Sequence, residues 1–90
     1  MVHITMAKFI KTDGSIINVE PKNGKDFSLK ELQGFVDGYI EIVYLPNGDL
    51  MVVNEEGKMN DLPINMKATM AYGLDVIVGN VLWCNKSQVK

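Results

Sequence analysis

Two turn signals, each set between runs of residues that favour extended structure, constrain this chain more than any other feature. Asp13-Gly14 lies between residues 4–10 and 15–20, and Pro46-Asn47-Gly48-Asp49 lies between residues 39–45 and 50–54. Gly after Asp or Asn supplies the positive φ that a tight reversal needs, so each signal predicts a β-hairpin. In the first, Ile4, Met6, Lys8 and Ile10 alternate with Thr5, Ala7 and Phe9; in the second, Tyr-Ile-Glu-Ile-Val-Tyr-Leu is β-branched and aromatic throughout. Pro21-Lys22-Asn23-Gly24-Lys25 between them cannot continue a ladder and reads as a connection.

Helices fit in the two remaining gaps. Ser28-Leu29-Lys30-Glu31 is a capping box, with Phe27 and Leu32 placed as a hydrophobic staple. Leu29, Leu32, Phe35 and Val36 share one helical face, and Gly38 is expected as the left-handed residue that ends the helix. Asn65 predicts the cap of a second helix of about two turns carrying Met66, Ala68, Met70 and Ala71, with Gly73 as its stop. Residues 75–84 read as a final strand. The order is therefore ββαββαβ: a single small α+β domain over residues 1–90, with one mostly antiparallel sheet of about five strands and two short helices.

Composition narrows the function classes. At 47% hydrophobic and 22% charged residues, the chain is globular in character, and 90 residues support one core rather than two. No apolar run approaches the roughly 18 residues of a membrane helix, and the first twelve residues lack the continuous apolar stretch of a signal peptide, so a cytoplasmic protein with no membrane partner is expected. All nine basic residues are Lys and the net charge is −2. Without the bidentate fork of Arg or a basic surplus, nucleic-acid binding is disfavoured. Cys84 is the only cysteine and His3, two residues from the chain end, the only histidine, which excludes an intramolecular disulfide and a thiolate metal cluster and leaves no well-placed base for a Ser or Cys nucleophile. Glu55, Glu56, Asp61 and Asp75 have no spacing that fixes two of them together as an acid/base pair. Neither enzymatic activity nor a cofactor is expected.

The candidate site is polar. Asn54-Glu55-Glu56-Gly57-Lys58 follows a strand, while Asn65 and Thr69 lie one turn apart at the start of a helix, so Asn54, Glu56, Lys58, Asn65 and Thr69 are candidates to line one cleft for a small anionic, nucleotide-like ligand. The same residues also read as plain structure: a solvated turn, an N-cap and a surface threonine. Trp83, at the end of the last strand, is the aromatic expected to be partly exposed and a lesser candidate for stacking. Residues 39–45 and the last strand are apolar on both faces, and two short helices are few to cover them. Either the N-terminal hairpin folds over as a second layer, or a second copy covers the free face in a homo-oligomer.

Four blocks in order carry a resemblance: Leu32-Gln33-Gly34-Phe35-Val36-Asp37-Gly38-Tyr39-Ile40-Glu41, then residues 54–58, then Leu62-Pro63-Ile64-Asn65-Met66-Lys67-Ala68-Thr69, then Asp75-Val76-Ile77-Val78-Gly79-Asn80-Val81-Leu82. Over roughly residues 29–82 the chain resembles an uncharacterised family of small proteins, a domain of unknown function, encoded by phages, plasmids and conjugative elements. The chain departs from it at Asp37, where the family favours a second Gly, and at Asn80, where it often has Asp. The resemblance implies a mobile-element setting and a short cytoplasmic protein that acts by stoichiometric binding, to a small ligand or to a host or defence protein. An accessory structural or protein-interaction domain with no small-molecule ligand is the other reading.

Overall fold

A computed structural model describes residues 7–89 of the chain, in the order β1 (Ala7–Ile10), β2 (Ile16–Val19), α1 (Leu29–Val36), β3 (Ile40–Tyr44), β4 (Leu50–Asn54), α2 (Met66–Tyr72) and β5 (Val81–Cys84). His3 and the expected extension of the first strand through residues 4–6 lie outside the described residues. The α+β class and the ββαββαβ order are as the sequence predicts. A short 3₁₀ turn, Lys86–Gln88, follows β5, with Asn85 as its cap.

The five strands form one antiparallel sheet in the order β2-β1-β5-β4-β3. The two hairpins do not pair with each other in the sheet. β5 enters between them, pairing Ile10 with Val81 on one side and Val52 with Leu82 on the other. A strand flanked on both edges and covered on both faces must be apolar throughout, and Val81 and Leu82 are fully buried. The N-terminal hairpin thus extends the sheet instead of folding over it as a second layer.

The helices lie on opposite faces, which corrects the expectation that they are too few to cover both. Alternation along each strand sends Ala7, Leu50, Val52, Leu82 and Cys84 to one side, where they pack with Phe27, Leu32 and Val36 of the α1 region. Ile10, Met51, Val53 and Val81 point to the other side and pack with Ala68 of α2 and with Ile77. Each fully buried Leu or Val side chain in these layers contributes about 1.5–3 kcal/mol. The packing argument for self-association therefore loses its premise.

α1 begins as expected. Ser28 accepts the Glu31 amide at 3.1 Å, Glu31 accepts the Ser28 amide at 2.9 Å, and Phe27 and Leu32 are both buried. Leu29 departs from the expected apolar face: at the first helical position it stays exposed. The helix end also differs, because Asp37, not Gly38, takes the left-handed conformation, at φ 58° and ψ 49°. Gly38 serves close approach instead, since a Cβ there would lie 2.7 Å from Asn54 Nδ2.

The last strand is six residues shorter at its start than expected. Gly79 at φ 78° turns the chain, and a Cβ there would meet Leu62 Cδ1 at 2.9 Å. Residues 75–80 run back along the 63–65 segment instead, with the Asn65 amide donating to Ile77 O and the Gly79 amide to Pro63 O, both at 2.8 Å. This return segment closes the α2 layer over the sheet.

Candidate functional site

The polar stretch after β4 folds as consecutive turns tied to the end of α1. Asn54 Nδ2 donates to Val36 O at 3.0 Å while its Oδ1 accepts the Glu56 amide at 2.8 Å, so this side chain joins β4, the α1 C-terminus and the turn. Turns from Glu56 through Leu62 then carry Lys58 outward, where its Nζ meets Asp75 Oδ2 at 2.5 Å. Both side chains of this pair are largely exposed. The hydrogen bond from Lys58, then the Val76 amide, then the Lys58 charge hold the Asp75 carboxyl below its ordinary range.

Beside this pair lies a cleft of about 190 Å³ with an apolar floor that includes Val43, Val53 and Tyr72. Its charged lining is Glu41, Glu55, Asp75 and Lys58, three carboxylates against one ammonium. A phosphate entering here meets a negative rim, and the one cation already faces Asp75. Among the described residues no three His, Cys, Asp or Glu side chains are placed to hold a metal ion.

Of the five residues singled out in the sequence, Asn54 and Lys58 line this cleft and Glu56, Asn65 and Thr69 do not. Asn65 is fully buried. Its Oδ1 accepts the Ala68 amide at 3.1 Å, and its Nδ2 donates to Ile10 O at 3.0 Å and Gly79 O at 2.9 Å. Thr69 Oγ1 accepts the Ile77 amide at 2.9 Å and donates to Ile77 O at 3.2 Å. Both side chains are thus occupied in holding α2 to β1 and to the return segment, which is their plain structural reading. Trp83 is half-buried; its Nε1 donates to Asp49 Oδ2 at 3.1 Å, and Lys8 Nζ lies 6.0 Å from the ring.

Sequence reasoning missed a different surface. Met66 and Met70, one turn apart on α2, are 63% and 78% exposed, and Ile64 and Leu74, which flank the helix, are 53% and 79% exposed. The signal was present in the spacing. Ala68 and Tyr72 occupy the opposite side of the same two turns, so this helix can bury the Ala/Tyr side or the Met side, not both. It buries the side with Ala68 and Tyr72 against the sheet and leaves the methionines outside.

The family described as a domain of unknown function, DUF3846, matches residues 10–89. No curated protein and no solved structure matches the chain. Among the described residues no helix is long and apolar enough to cross a membrane.

Proposed function

This chain belongs to the DUF3846 family, a domain of unknown function, and for it we propose a non-enzymatic role as a protein-interaction module that binds its partner stoichiometrically through the outer side of α2. The observation that carries this reading is the exposure of Met66 and Met70 between Ile64 and Leu74. Large apolar side chains gathered along one short helix are costly to leave in water, and flexible methionines adapt well to a partner surface. The small-anion reading has weaker support, because Asn65 and Thr69 are occupied by the fold and the cleft beside Lys58 has an acidic rim. In the phage, plasmid or conjugative-element setting that the sequence resemblance implies, the partner would be a host protein, defence factors included, met in the host cytoplasm.

The test compares the wild type with the double variant Met66→Glu/Met70→Glu. Exposed substitutions of this kind change stability by about 0.5 kcal/mol or less, so both proteins should fold alike. A protein captured from host extract is purified and titrated by calorimetry against each form. The expected result is one-to-one binding to the wild type, weakened about tenfold or more in the variant, which corresponds to about 1.4 kcal/mol. Equal binding to both forms would refute the α2 site. A thermal shift with nucleotides that is lost in Lys58→Ala would restore the small-ligand reading.

A further inference from the structure

We propose that β3 is a self-pairing edge: two copies of this chain join antiparallel through Ile40–Tyr44, about a two-fold axis at Ile42, to make one continuous ten-stranded sheet. The inference is independent of the reading of α2. It begins from the hydrogen-bond phase of the second hairpin. The Glu55 amide donates to Tyr39 O and the Leu45 amide to Asp49 O, both at 2.9 Å. In the register that pairs Glu41 with Val53 and Val43 with Met51, these bonds place the backbone groups of residues 39, 41, 43 and 45 toward β4. Alternation then turns the amides and carbonyls of Ile40, Ile42 and Tyr44 outward, and among the described residues no strand lies beyond β3.

These three residues are self-complementary in one register. Pairing Ile42 with Ile42 of the second copy sets Ile40 opposite Tyr44 in both directions, and all three residues on each strand then fall in hydrogen-bonded pairs. A shift by two residues in either direction loses part of the set. Side chains agree with the backbone. Ile40, Ile42 and Tyr44 all point to the α1 side of the sheet, so the new cross-strand pairs are Ile with Ile and Ile with Tyr. On the other side Glu41 falls opposite Val43 of the second copy, so like charges do not meet directly.

Two further observations favour this edge and this occupant. Edges are commonly guarded against pairing by Lys, Pro or a bulge, and Ile40–Tyr44 contains none of these; its single charge, Glu41, points to the α2 side. β2, at the other end of the sheet, turns only Ile16 and Asn18 outward, since the Lys11 amide bonds to Ser15 O. Beside β3 on the α1 side lies a groove of about 410 Å³ whose apolar lining includes Phe27, Leu29, Leu32, Ile40 and Ile42, with Asp26 and Ser28 as its polar lining. Tyr44, 63% exposed in the single chain, is carried in the paired register to Ile40 of the other copy, at the wall of that groove. Leu29, exposed at the start of α1, lines the same groove.

The experiment measures mass by light scattering and amide exchange by NMR on the wild type, Ile42→Pro, Tyr44→Glu and Met70→Glu. Because the Ile42 amide faces outward, Pro at this position removes a donor to the second copy and none to β4. At chain concentrations of about 100 µM the wild type should have twice the 10.0 kDa chain mass. Its Ile42 and Tyr44 amides should exchange slowly there and faster on dilution. Ile42→Pro and Tyr44→Glu should each weaken association about tenfold or more, and Met70→Glu should leave it unchanged. A monomeric wild type, a folded Ile42→Pro that still dimerises, or dissociation by Met70→Glu overturns the proposal. Should Ile42→Pro fail to fold, Tyr44→Glu decides, and an undiminished dimer in that variant overturns it.

Discussion

The two helix caps of this chain allow a sharp test of how burial sets the worth of one side chain. Ser28 caps α1 at the surface, where water takes over its bonds once the hydroxyl is removed; Ser28→Ala should therefore cost about 1 kcal/mol, the usual value for a cap. Asn65 caps α2 in full burial and also donates to Ile10 O and Gly79 O. Asn65→Ala loses a cap worth about 1 kcal/mol and takes the donor from two carbonyls in the interior, at about 1–2 kcal/mol each, for a total of about 3–5 kcal/mol. For a domain of this size, with an overall stability of about 5–13 kcal/mol, that is a large fraction. Urea denaturation followed by far-ultraviolet circular dichroism, with both variants and the wild type at one slope, gives the two differences directly. Asn65→Asp adds a second readout. It keeps the acceptor for the Ala68 amide but offers no donor when ionised, and burial beside two carbonyls raises its carboxyl pKa above the unfolded value. A raised pKa gives stability that is complete below the unfolded pKa and lost as pH climbs through the folded one, so this variant should gain stability on acidification from neutral pH. Asn65→Ala costing no more than Ser28→Ala, or Asn65→Asp with the pH dependence of the wild type, would refute the reasoning.

Three other outcomes are expected. In Lys58→Ala the denaturation midpoint should fall only slightly, because the pair with Asp75 is exposed, while NMR titration should show the Asp75 carboxyl moving up toward its ordinary range. In the wild type that depressed pKa means a contribution present above the unfolded carboxyl pKa and lost as pH falls through the folded one; an unmoved titration in the variant would deny the link. Asp37→Gly should raise stability by about 0.5–1 kcal/mol in the same urea assay, since the position sits at φ 58° where Gly carries no steric penalty; a loss would mean the Asp side chain holds the helix end. Burial, and after it the Asp49 charge, pushes the Cys84 thiol up to about 12, so alkylation at pH 8 should be slow in native protein and rise in step with unfolding by urea. Rapid labelling in native buffer would contradict the buried placement of Cys84.

What the sequence determined by itself was local. Asp13-Gly14 and the Pro46–Asp49 turn define two hairpins, Ser28 and Glu31 begin α1, and Asn65 and Gly73 bound α2, because hairpin turns and helix caps are built from residues within four positions of each other. The polar stretch from Asn54 to Lys58 was legible as turns for the same reason. Tertiary structure decided the rest. No local rule states that β5 enters between hairpins formed before it in the chain, and that insertion alone separates β1 from β4 and leaves β2 and β3 as the sheet edges. The end of α1 was misread by one residue, because the reason for Gly38 is Asn54, sixteen positions away. Which of the candidate residues share a cleft was not legible for a related reason. Asn65 and Thr69 have the types and spacing of a ligand-binding pair, but which partners their polar atoms find depends on where residues 77–79 return, and they return onto the helix. The exposure of Met66 and Met70 follows from that same packing: Ala68 and Tyr72 face the sheet, and the large residues on the opposite side of the same two turns are left in water.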